Sequence, residues 1–275
     1  MILIKKFIDK TKNEGFVFAL NRVFSYIKHI LSITNKIDNQ RKRCGVLIDE
    51  SFNSTVRYGP FKGLKLSSDN WWGSGDRASM LLGLYEQEVL ESLTNIPKNY
   101  RTFIDLGAAD GYYSIGVLIN NLFDRSYCFE MSEKGRNIIR EKALINGVSD
   151  NILIHGIADK DFYRAITSDQ LSNSVLFVDI EGGEFDLFSK ELFRIFKESI
   201  IFIELHDWFF KDGKIKLAKL RNDAEEFFCI TELTTSTRDL SGFPELEKFS
   251  DTDRWLICSE GRARLMTWYR LDPRQ

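Results

Sequence analysis

Two kinds of hydrophobic pattern alternate along this chain, most clearly between residues 101 and 131. Thr102–Leu106 is a short apolar run rich in β-branched and aromatic side chains, which is typical of a buried strand. After several small residues, apolar side chains recur at helical spacing over 112–119, and a second strand-like run follows at 126–131. The pattern therefore predicts a strand, a tight turn, a helix and a second strand, which together form a βαβ unit.

The same alternation continues toward the C-terminus. Further strands are predicted at 151–157, 175–180, 200–205, 230–233 and 255–258. Helices are predicted at 132–145, 162–171, 184–197 and 214–228. Polar residues with glycine and proline predict an irregular loop at 234–253, and residues 261–275 carry no clear pattern. Strands that alternate with helices predict a parallel sheet wound on both faces, so the expected fold class is α/β.

The N-terminal part of the chain is basic and amphipathic. Apolar side chains of residues 16–31 fall on one arc of a helical wheel and polar side chains on the other, which predicts an amphipathic helix. Residues 1–43 hold ten Lys or Arg side chains against three acids, a net charge of +7. Such a helix packs on its own domain or on a second subunit, or it lies on an anionic membrane face. The sequence leaves these alternatives open.

A hairpin and a helix are predicted before the first strand. The hairpin pairs 55–58 with 64–66, and the helix covers 77–93. Four nearby side chains are candidates for the mouth of a binding site, with core packing as the alternative for the aromatic ones: Trp71, Trp72, Arg77 and Tyr85. The predicted segments are a basic helical segment at 1–50, a hairpin plus helix that covers the ligand site at 51–100, and the main domain at 101–275.

The composition of the 275 residues is that of an ordinary soluble globular protein. A net charge of −2 gives no reason to expect a nucleic-acid partner. The four cysteines lack metal-ligand or redox spacing and are predicted to be buried, reduced thiols: Cys44, Cys128, Cys229 and Cys258. Reduced thiols and the lack of a signal peptide or membrane-spanning run favour the cytoplasm, with peripheral contact at the inner membrane face as an addition.

The turn after the first predicted strand has the composition of a ligand-binding loop. Gly107, Ala109 and Gly111 allow the backbone to approach a ligand closely. With Asp105 in front, the pattern is D-x-G-x-A-x-G, whereas dinucleotide-binding turns have G-x-G-x-x-G. An acid at the strand end opposes a pyrophosphate but suits an ammonium or a sulfonium. Glu130, near the carboxyl end of the second predicted strand, is placed to bind both hydroxyls of a ribose.

Four sequence motifs together resemble the class I S-adenosylmethionine (SAM)-dependent methyltransferases and, among them, the FkbM family. They are FIDLGAADGYYSIG (103–116), CFEMS (128–132), FVDIEGGEFDLF (177–188) and FIELH (202–206). The resemblance implies a Rossmann-like sheet of seven strands with the last strand antiparallel, and it makes 101–275 the methyltransferase domain. Relatives in this family methylate hydroxyl groups of natural products and cell-surface sugars.

The resemblance also implies how the cofactor is divided among strand ends. Asp105 and the backbone of 107–111 would hold the methionine portion of SAM. Glu130 would bind the ribose, and Met131 would pack on the adenine ring. Asp159 would bind the adenine edge, with a role as a loop cap as the alternative.

Four residues are the candidates for taking a proton from an acceptor hydroxyl: Asp179, Glu181, Glu204 and His206. Asp179 and His206 are the leading candidates, and Glu184 is expected to complement the dipole of its helix. The alternative is a divalent metal held by Asp179, Glu204 and His206, because metal-dependent O-methyltransferases of the catechol class carry acids at the same strand ends.

The sequence therefore predicts an O-methyltransferase for a small molecule or a glycan. One rival is a catalytically silent protein of the same fold that acts as a scaffold or at a membrane. A more distant rival is an NAD-dependent oxidoreductase, which the glycine spacing disfavours. Methylation of a nucleobase amine is disfavoured because Asp179 is followed by Ile-Glu-Gly instead of a DPPY-type motif.

Overall fold

The computed structural model describes residues 34–67, 75–262 and 264–274. Seven strands form one sheet: β1 (Thr102–Leu106), β2 (Arg125–Phe129), β3 (Ile152–His155), β4 (Ser174–Val178), β5 (Ile200–Glu204), β6 (Phe228–Thr234) and β7 (Thr267–Pro273). The helices are α1 (Thr34–Phe52), α2 (Arg77–Leu81), α3 (Gln87–Thr94), α4 (Tyr112–Ile119), α5 (Glu133–Ile145), α6 (Ser168–Leu171), α7 (Glu184–Leu187), α8 (Lys190–Ile195), α9 (Gly213–Glu225) and α10 (Asp251–Cys258).

The sheet has the strand order β3-β2-β1-β4-β5-β7-β6. β1 to β5 pair in parallel, and β7 pairs antiparallel with both β5 and β6. The order reverses direction at β1, with β2 on one side of it and β4 on the other, and ligands of open α/β sheets bind at such a switch point. The chain thus has the doubly wound, Rossmann-like fold of the class I methyltransferases, with seven strands and an antiparallel last strand, as predicted.

Alternate side chains of β1 pack into two separate cores. Phe103 faces one core together with Phe177 and the helices α1 to α5, while Ile104 and Leu106 face the other core with α8 and α9. Because successive side chains of a strand point to opposite faces, a strand buried on both sides reads as a continuous apolar run. This explains why the sequence pattern located β1 to its exact bounds.

The last strand is not where the sequence pattern placed it. Residues 255–258 belong to the helix α10, whose Ser250 cap accepts a hydrogen bond from the N–H of Asp253. The strand β7 comes from the C-terminal residues that carry no clear pattern. Its flanking polar residues hide the alternation, while Trp268, Tyr269 and Leu271 are buried. The prediction at 255–258 was wrong because four apolar residues are too few to distinguish a strand from a helix turn.

Three predicted helices are interrupted. The helix predicted at 77–93 is divided into α2 and α3 by Gly83 and Glu86, which both have positive φ. The helix predicted at 184–197 is divided into α7 and α8, where the side chain of Ser189 caps α8 by accepting from the N–H of Leu192. The helix predicted at 162–171 is a 3₁₀ turn followed by the short α6.

The described part of the N-terminal segment packs on the domain. Cys44, Ile48 and Phe52 of α1 are buried in the first core, and α1 extends across the predicted boundary at residue 50. The predicted hairpin is reduced to one antiparallel bridge between Thr55 and Lys65. No helix among the described residues is long and apolar enough to cross a membrane.

The predicted helix at 16–31, like Trp71 and Trp72, lies outside the described residues. Of the cysteines, Cys229 on the edge strand β6 is exposed, contrary to the prediction, whereas the other three are buried.

Candidate active site

A cavity of about 640 Å³ opens at the carboxyl ends of β1, β2 and β4. Nine acids line it, and Lys160 is the one basic residue among the described residues of its wall. The acids are Asp76, Glu86, Asp105, Asp110, Glu130, Asp159, Asp179, Glu181 and Asp186. Lys142, which is buried behind the wall, forms an ion pair of 3.0 Å with Asp110. A cavity with this balance of charge favours a cationic occupant over an anionic one.

Asp105 lies at the base of the cavity, one residue before the end of β1. The hydroxyl of Ser114 in α4 donates a hydrogen bond to its carboxylate. Burial raises the pKa of Asp105 to about 7, although the hydrogen bond from Ser114 opposes this shift. A buried carboxyl group with no cationic partner among the described residues is suited to a cation brought by a ligand.

The fold requires a glycine at position 107, independently of any ligand. Its φ of +90° is a conformation that other residues rarely adopt, and a Cβ atom there would lie 1.8 Å from the carbonyl oxygen of Asp179. The close approach of the turns after β1 and β4 therefore depends on glycine. The sequence predicted this glycine from ligand approach and from a positive φ, and the contact with Asp179 is an additional reason.

Ala109 and Glu130 form one unit of the cofactor turn. Ala109 adopts a φ of +49°, and its N–H donates a 2.9 Å hydrogen bond to Oε2 of Glu130. The N–H of Ser132 donates to Oε1 of the same carboxylate at 2.6 Å. Each carboxylate oxygen has a second lone pair, so Glu130 fixes the turn and can still accept hydrogen bonds from a ligand. Gly111, with a φ of +80°, precedes α4 at the end of the turn.

The predicted adenine side of the cavity has exposed apolar walls. Met131 is 73% exposed and Ile157 is 67% exposed, and both line the cavity. Asp159 also lines it, but its Oδ1 accepts a hydrogen bond from the N–H of Asp161 at 2.9 Å. The structure thus shows the loop-capping role for Asp159, which leaves its other oxygen for a ligand. Met131 and Ile157 are large exposed apolar side chains that a flat ring would cover.

His206 is the centre of a cluster of acids. Its Nε2 lies 3.8 Å from Oδ1 of Asp179, 3.6 Å from Oε2 of Glu181 and 3.6 Å from Oε2 of Glu204. The four candidate catalytic residues are therefore brought together, as the sequence predicted. Burial acts to lower the pKa of His206, but the surrounding carboxylates, foremost Glu184 and Glu204, outweigh it and raise that pKa.

Glu184 supports the cluster from behind. Its carboxylate is buried and accepts hydrogen bonds of 2.9 Å from the N–H groups of both Gly182 and His206. The sequence assigned Glu184 to the dipole of its helix, but α7 has only four residues. The main contribution of Glu184 is to tie the turn after β4 to the end of β5.

Asp179 and Glu204 form a carboxyl pair. Both carboxylates lie beside Nε2 of His206, which is 3.8 Å from Oδ1 of Asp179 and 3.6 Å from Oε2 of Glu204. Burial raises the pKa of Asp179 to about 7, and burial followed by the charge of Asp179 raises the pKa of Glu204. Oδ1 of Asp179 is buried and has no hydrogen-bond partner among the described residues.

The turn between β4 and α7 brings Glu181 to the cluster. The sequence expected strand alternation to place Glu181 beside Asp179, but β4 ends at Val178. Glu181 instead adopts a φ of +54° and Gly182 a φ of +99°. Positive φ is strained for Glu181 but not for the glycine, and such strain is often found at functional sites.

An ionic network that the sequence did not predict closes the other side of the cluster. Arg262 donates hydrogen bonds to Glu204 at 2.7 Å, to Glu260 at 2.8 Å and to Glu86. Tyr113 donates to the second oxygen of Glu86 at 2.6 Å. Burial raises the pKa of Glu86 to about 8, although Arg262 opposes this effect. No local signal identifies these contacts, because Arg262 lies in the unpatterned C-terminal residues.

Aromatic side chains border the cluster on its outer side. Phe209 stacks on the His206 ring with centroids 5.4 Å apart, and Trp208 contacts Phe209 and lies under the guanidinium of Arg264. Of the predicted mouth residues, Tyr85 lines the cavity. Arg77 does not, because its guanidinium is held by Asp49 and by the carbonyl of Ser67.

Comparison with known proteins adds only distant likeness. No protein-family model and no curated protein matches the chain. The solved structures that resemble it include an O-methyltransferase from Bacillus cereus in complex with S-adenosylhomocysteine, at 14% identity and a TM-score of 0.44, covering 91% of this chain and 97% of that chain. The m1A22 tRNA methyltransferase of B. subtilis has 7% identity and a TM-score of 0.43, covering 66% and 64%. Likeness at this level carries no argument about activity.

Proposed function

We propose that this protein is a SAM-dependent methyltransferase of the FkbM type that methylates a hydroxyl group on an uncharged small molecule or glycan. The observation that carries the proposal is the acidic cavity, in which the turn after β1 lies next to the His206 cluster. SAM carries a sulfonium and an ammonium group, and both favour a wall of carboxylates. The motif at 177–188 supports the FkbM assignment.

The residues of the cavity fit this cofactor. Asp105 offers a buried carboxyl group without a cationic partner among the described residues, which suits the ammonium of the methionine portion. Glu130 keeps free lone pairs for the ribose hydroxyls, and Met131 with Ile157 provides apolar contact for the adenine. The pyrophosphate of NAD would instead meet an acid at the strand end, which is unfavourable.

The cluster of acids at the end of β4 and β5 suits proton removal from the acceptor. When bound, SAM supplies a methyl group that passes from sulfur to the acceptor oxygen, the sulfur keeps the electron pair of the broken bond, and the hydroxyl proton passes to the cluster. Asp179 and His206 are the groups placed to accept that proton, with Glu181 and Glu204 beside them. Holding the acceptor in line with the methyl group contributes the rest of the rate increase.

The charge of the cavity also limits the acceptor. A phosphate group beside Asp179, Glu181 and Asp186 would be repelled, since Lys160 is the one base in the described wall. Nucleic acids and sugar nucleotides are therefore less suitable than neutral glycosides. Trp208 and Phe209, which are partly exposed beside His206, provide an apolar surface on which the face of a sugar ring can pack.

Two measurements test the proposal. Calorimetry on the full-length chain should show binding of SAM and S-adenosylhomocysteine but not of NAD. A mass-shift screen with SAM should then show a gain of one methyl group on a neutral glycoside or hydroxylated small molecule, and none on sugar nucleotides or tRNA. Binding of NAD without SAM would refute the methyltransferase assignment. Binding of SAM with no methylated product from any acceptor would favour the silent scaffold.

A further inference from the structure

We propose that the His206 cluster binds a divalent metal ion through His206, Asp179 and Glu181, and that the ion holds the acceptor oxygen. The proposal rests on the proposed function, since it assigns a cofactor to the same active site. One ligand atom from each of the three side chains lies within 4.8 Å of the other two. The site differs from the one expected from sequence, in which Glu204 took the place of Glu181.

The first support is that the His206 side chain is buried while its Nε2 has no hydrogen-bond partner among the described residues. The side chain is 2% exposed, yet its Nε2 makes no hydrogen bond with the described residues and is surrounded by three carboxylates at 3.6 to 3.8 Å. Carboxylate oxygens at these distances are too far for hydrogen bonds. One nitrogen of His206 and one oxygen each of Asp179 and Glu181 lie within 4.8 Å of one another, which leaves room for an ion between them.

The second support is how the imidazole is oriented. Nδ1 of His206 lies 3.3 Å from Oε1 of Glu184, and the same carboxylate accepts the backbone N–H of His206. The Phe209 ring is parallel to the imidazole within 7°. In metal sites, a carboxylate on the far nitrogen commonly fixes the tautomer and orientation of a ligating histidine. Glu184 lies beside the nitrogen that this role requires, although the contact between Nδ1 and Oε1 does not have the geometry of a hydrogen bond.

The third support concerns the two acids. Oδ1 of Asp179 is buried without a hydrogen-bond partner among the described residues, which costs stability unless something binds it. Glu181 has a half-exposed side chain, and its strained backbone brings its Oε2 toward His206. Glu204 is less free to ligate, because its Oε1 accepts a 2.7 Å hydrogen bond from Arg262.

The ligand set indicates the kind of ion. Two carboxylates and one imidazole suit first-row divalent ions such as Mn²⁺ better than Ca²⁺, which prefers oxygen ligands alone. Three protein ligands leave open positions in an octahedral ion. The cavity borders Asp179 and Glu181, so an acceptor hydroxyl can occupy one of these positions. Coordination lowers the pKa of a hydroxyl and fixes its oxygen, which are both useful in methyl transfer.

The test is direct measurement of Mn²⁺ binding by electron paramagnetic resonance on full-length protein that has been freed of metal with a chelator and then dialysed. We expect one saturable site in the wild type. Glu181→Gln should weaken its affinity at least tenfold, because the amide is a poorer ligand and the side chain is exposed enough for the variant to fold. His206→Ala should weaken it similarly.

Asp186→Asn is the matched control. Asp186 lines the same cavity and carries the same charge, but it is exposed and lies outside the three ligands. Its loss should leave Mn²⁺ affinity within about twofold. If Asp186→Asn and Glu181→Gln lost the same Mn²⁺ affinity, the ion would be held by general electrostatic attraction. That result would overturn the proposed site. Wild-type protein that does not bind Mn²⁺ would also overturn it.

Calorimetry with SAM in the presence of chelator separates this proposal from the proposed function. SAM binding without Mn²⁺ binding would leave the methyltransferase assignment in place and overturn the metal site. Mn²⁺ binding without SAM binding would establish the metal site and refute the methyltransferase assignment.

Discussion

Nη1 of Arg262 donates a 2.7 Å hydrogen bond to Oε1 of Glu204, and this contact connects the segment before β7 to the catalytic cluster. The same guanidinium bonds Glu86 and Glu260, so one cation compensates three carboxylates that are mostly buried. Arg238 supports Glu260 from the other side at 2.8 Å. Glu86 and Glu204 at the active site therefore depend on an arginine that is far from them in sequence.

Replacement of Arg262 should destabilise the fold strongly. Arg262→Ala leaves buried carboxylates without a counter-ion, and breaking such a pair typically costs about 3–5 kcal/mol. Arg262→Lys should recover part of this loss, because a lysine cannot donate to three acids at once. Urea unfolding measures the unfolding free energy of both variants against the wild type. Arg221→Ala is the control, because its pairs with Glu225 and Glu232 are exposed and should contribute less than about 1 kcal/mol. A loss of unfolding free energy in Arg262→Ala that is no larger than the small loss expected in Arg221→Ala would show that the network contributes little to stability.

This network also shows where prediction from the sequence reached its limit. The turn after β1 and the end of β2 were predicted correctly because strand, turn and helix follow one another in the chain and each has a local pattern. Contacts such as Glu86 with Arg262 join residues that the fold alone brings together. The same holds for β7, whose burial depends on its position between β5 and β6.

Gly107 shows a related limit. The sequence predicts that Gly107→Val abolishes SAM binding by blocking the approach of the ligand. The structure adds that any side chain at this position collides with the carbonyl of Asp179, so the variant would disturb the fold as well. Loss of binding in that variant would thus have two causes. Asp105 offers a cleaner test of the cofactor site.

Asp105→Asn should stabilise the unliganded protein at neutral pH while weakening SAM binding. The pKa of Asp105 is about 7 in the folded protein, above the usual value of 3.8, because the carboxyl is buried. The folded state therefore binds this proton more tightly than the unfolded state does. The contribution of Asp105 to stability is present in full below about pH 4 and is lost as the pH rises to about 7. The total is on the order of 4 kcal/mol.

Unfolding free energies measured between pH 4 and 8 test this expectation. The wild type should lose stability relative to Asp105→Asn over that interval, with the difference levelling off above about pH 7. Calorimetry at pH 8 should show weaker SAM binding in the variant. A constant difference across the pH range would mean that Asp105 is not the group that titrates.

Truncation at two positions should separate the roles of the N-terminal residues. Deletion of 1–33 leaves α1 intact, whereas deletion of 1–43 removes the 2.6 Å hydrogen bond from Gln40 to Asp253 and half of α1. We expect the shorter deletion to remain folded and to bind SAM, but to lose sedimentation with anionic liposomes. The longer deletion should lower the unfolding temperature. Continued sedimentation of the protein without residues 1–33 would contradict a membrane role for this basic segment.

Loss of Asp179 or His206 should slow removal of the proton from the acceptor hydroxyl. Asp179→Asn and His206→Ala should bind SAM with nearly unchanged affinity, because the cofactor is held by residues at the ends of β1 and β2. Turnover of the acceptor identified by the mass-shift screen should fall by roughly 10²–10⁴-fold, as is typical when a general base is removed.

A chelator distinguishes how the cluster acts in this step. If the cluster works through a bound metal, chelation should silence the wild type and Mn²⁺ should restore it, while neither treatment should change Asp179→Asn. If the side chains accept the proton without a metal, the wild type should stay active in chelator and the two variants should remain slow. Full activity of both variants in chelator would exclude both routes, because transfer would then depend only on the placement of acceptor and methyl group.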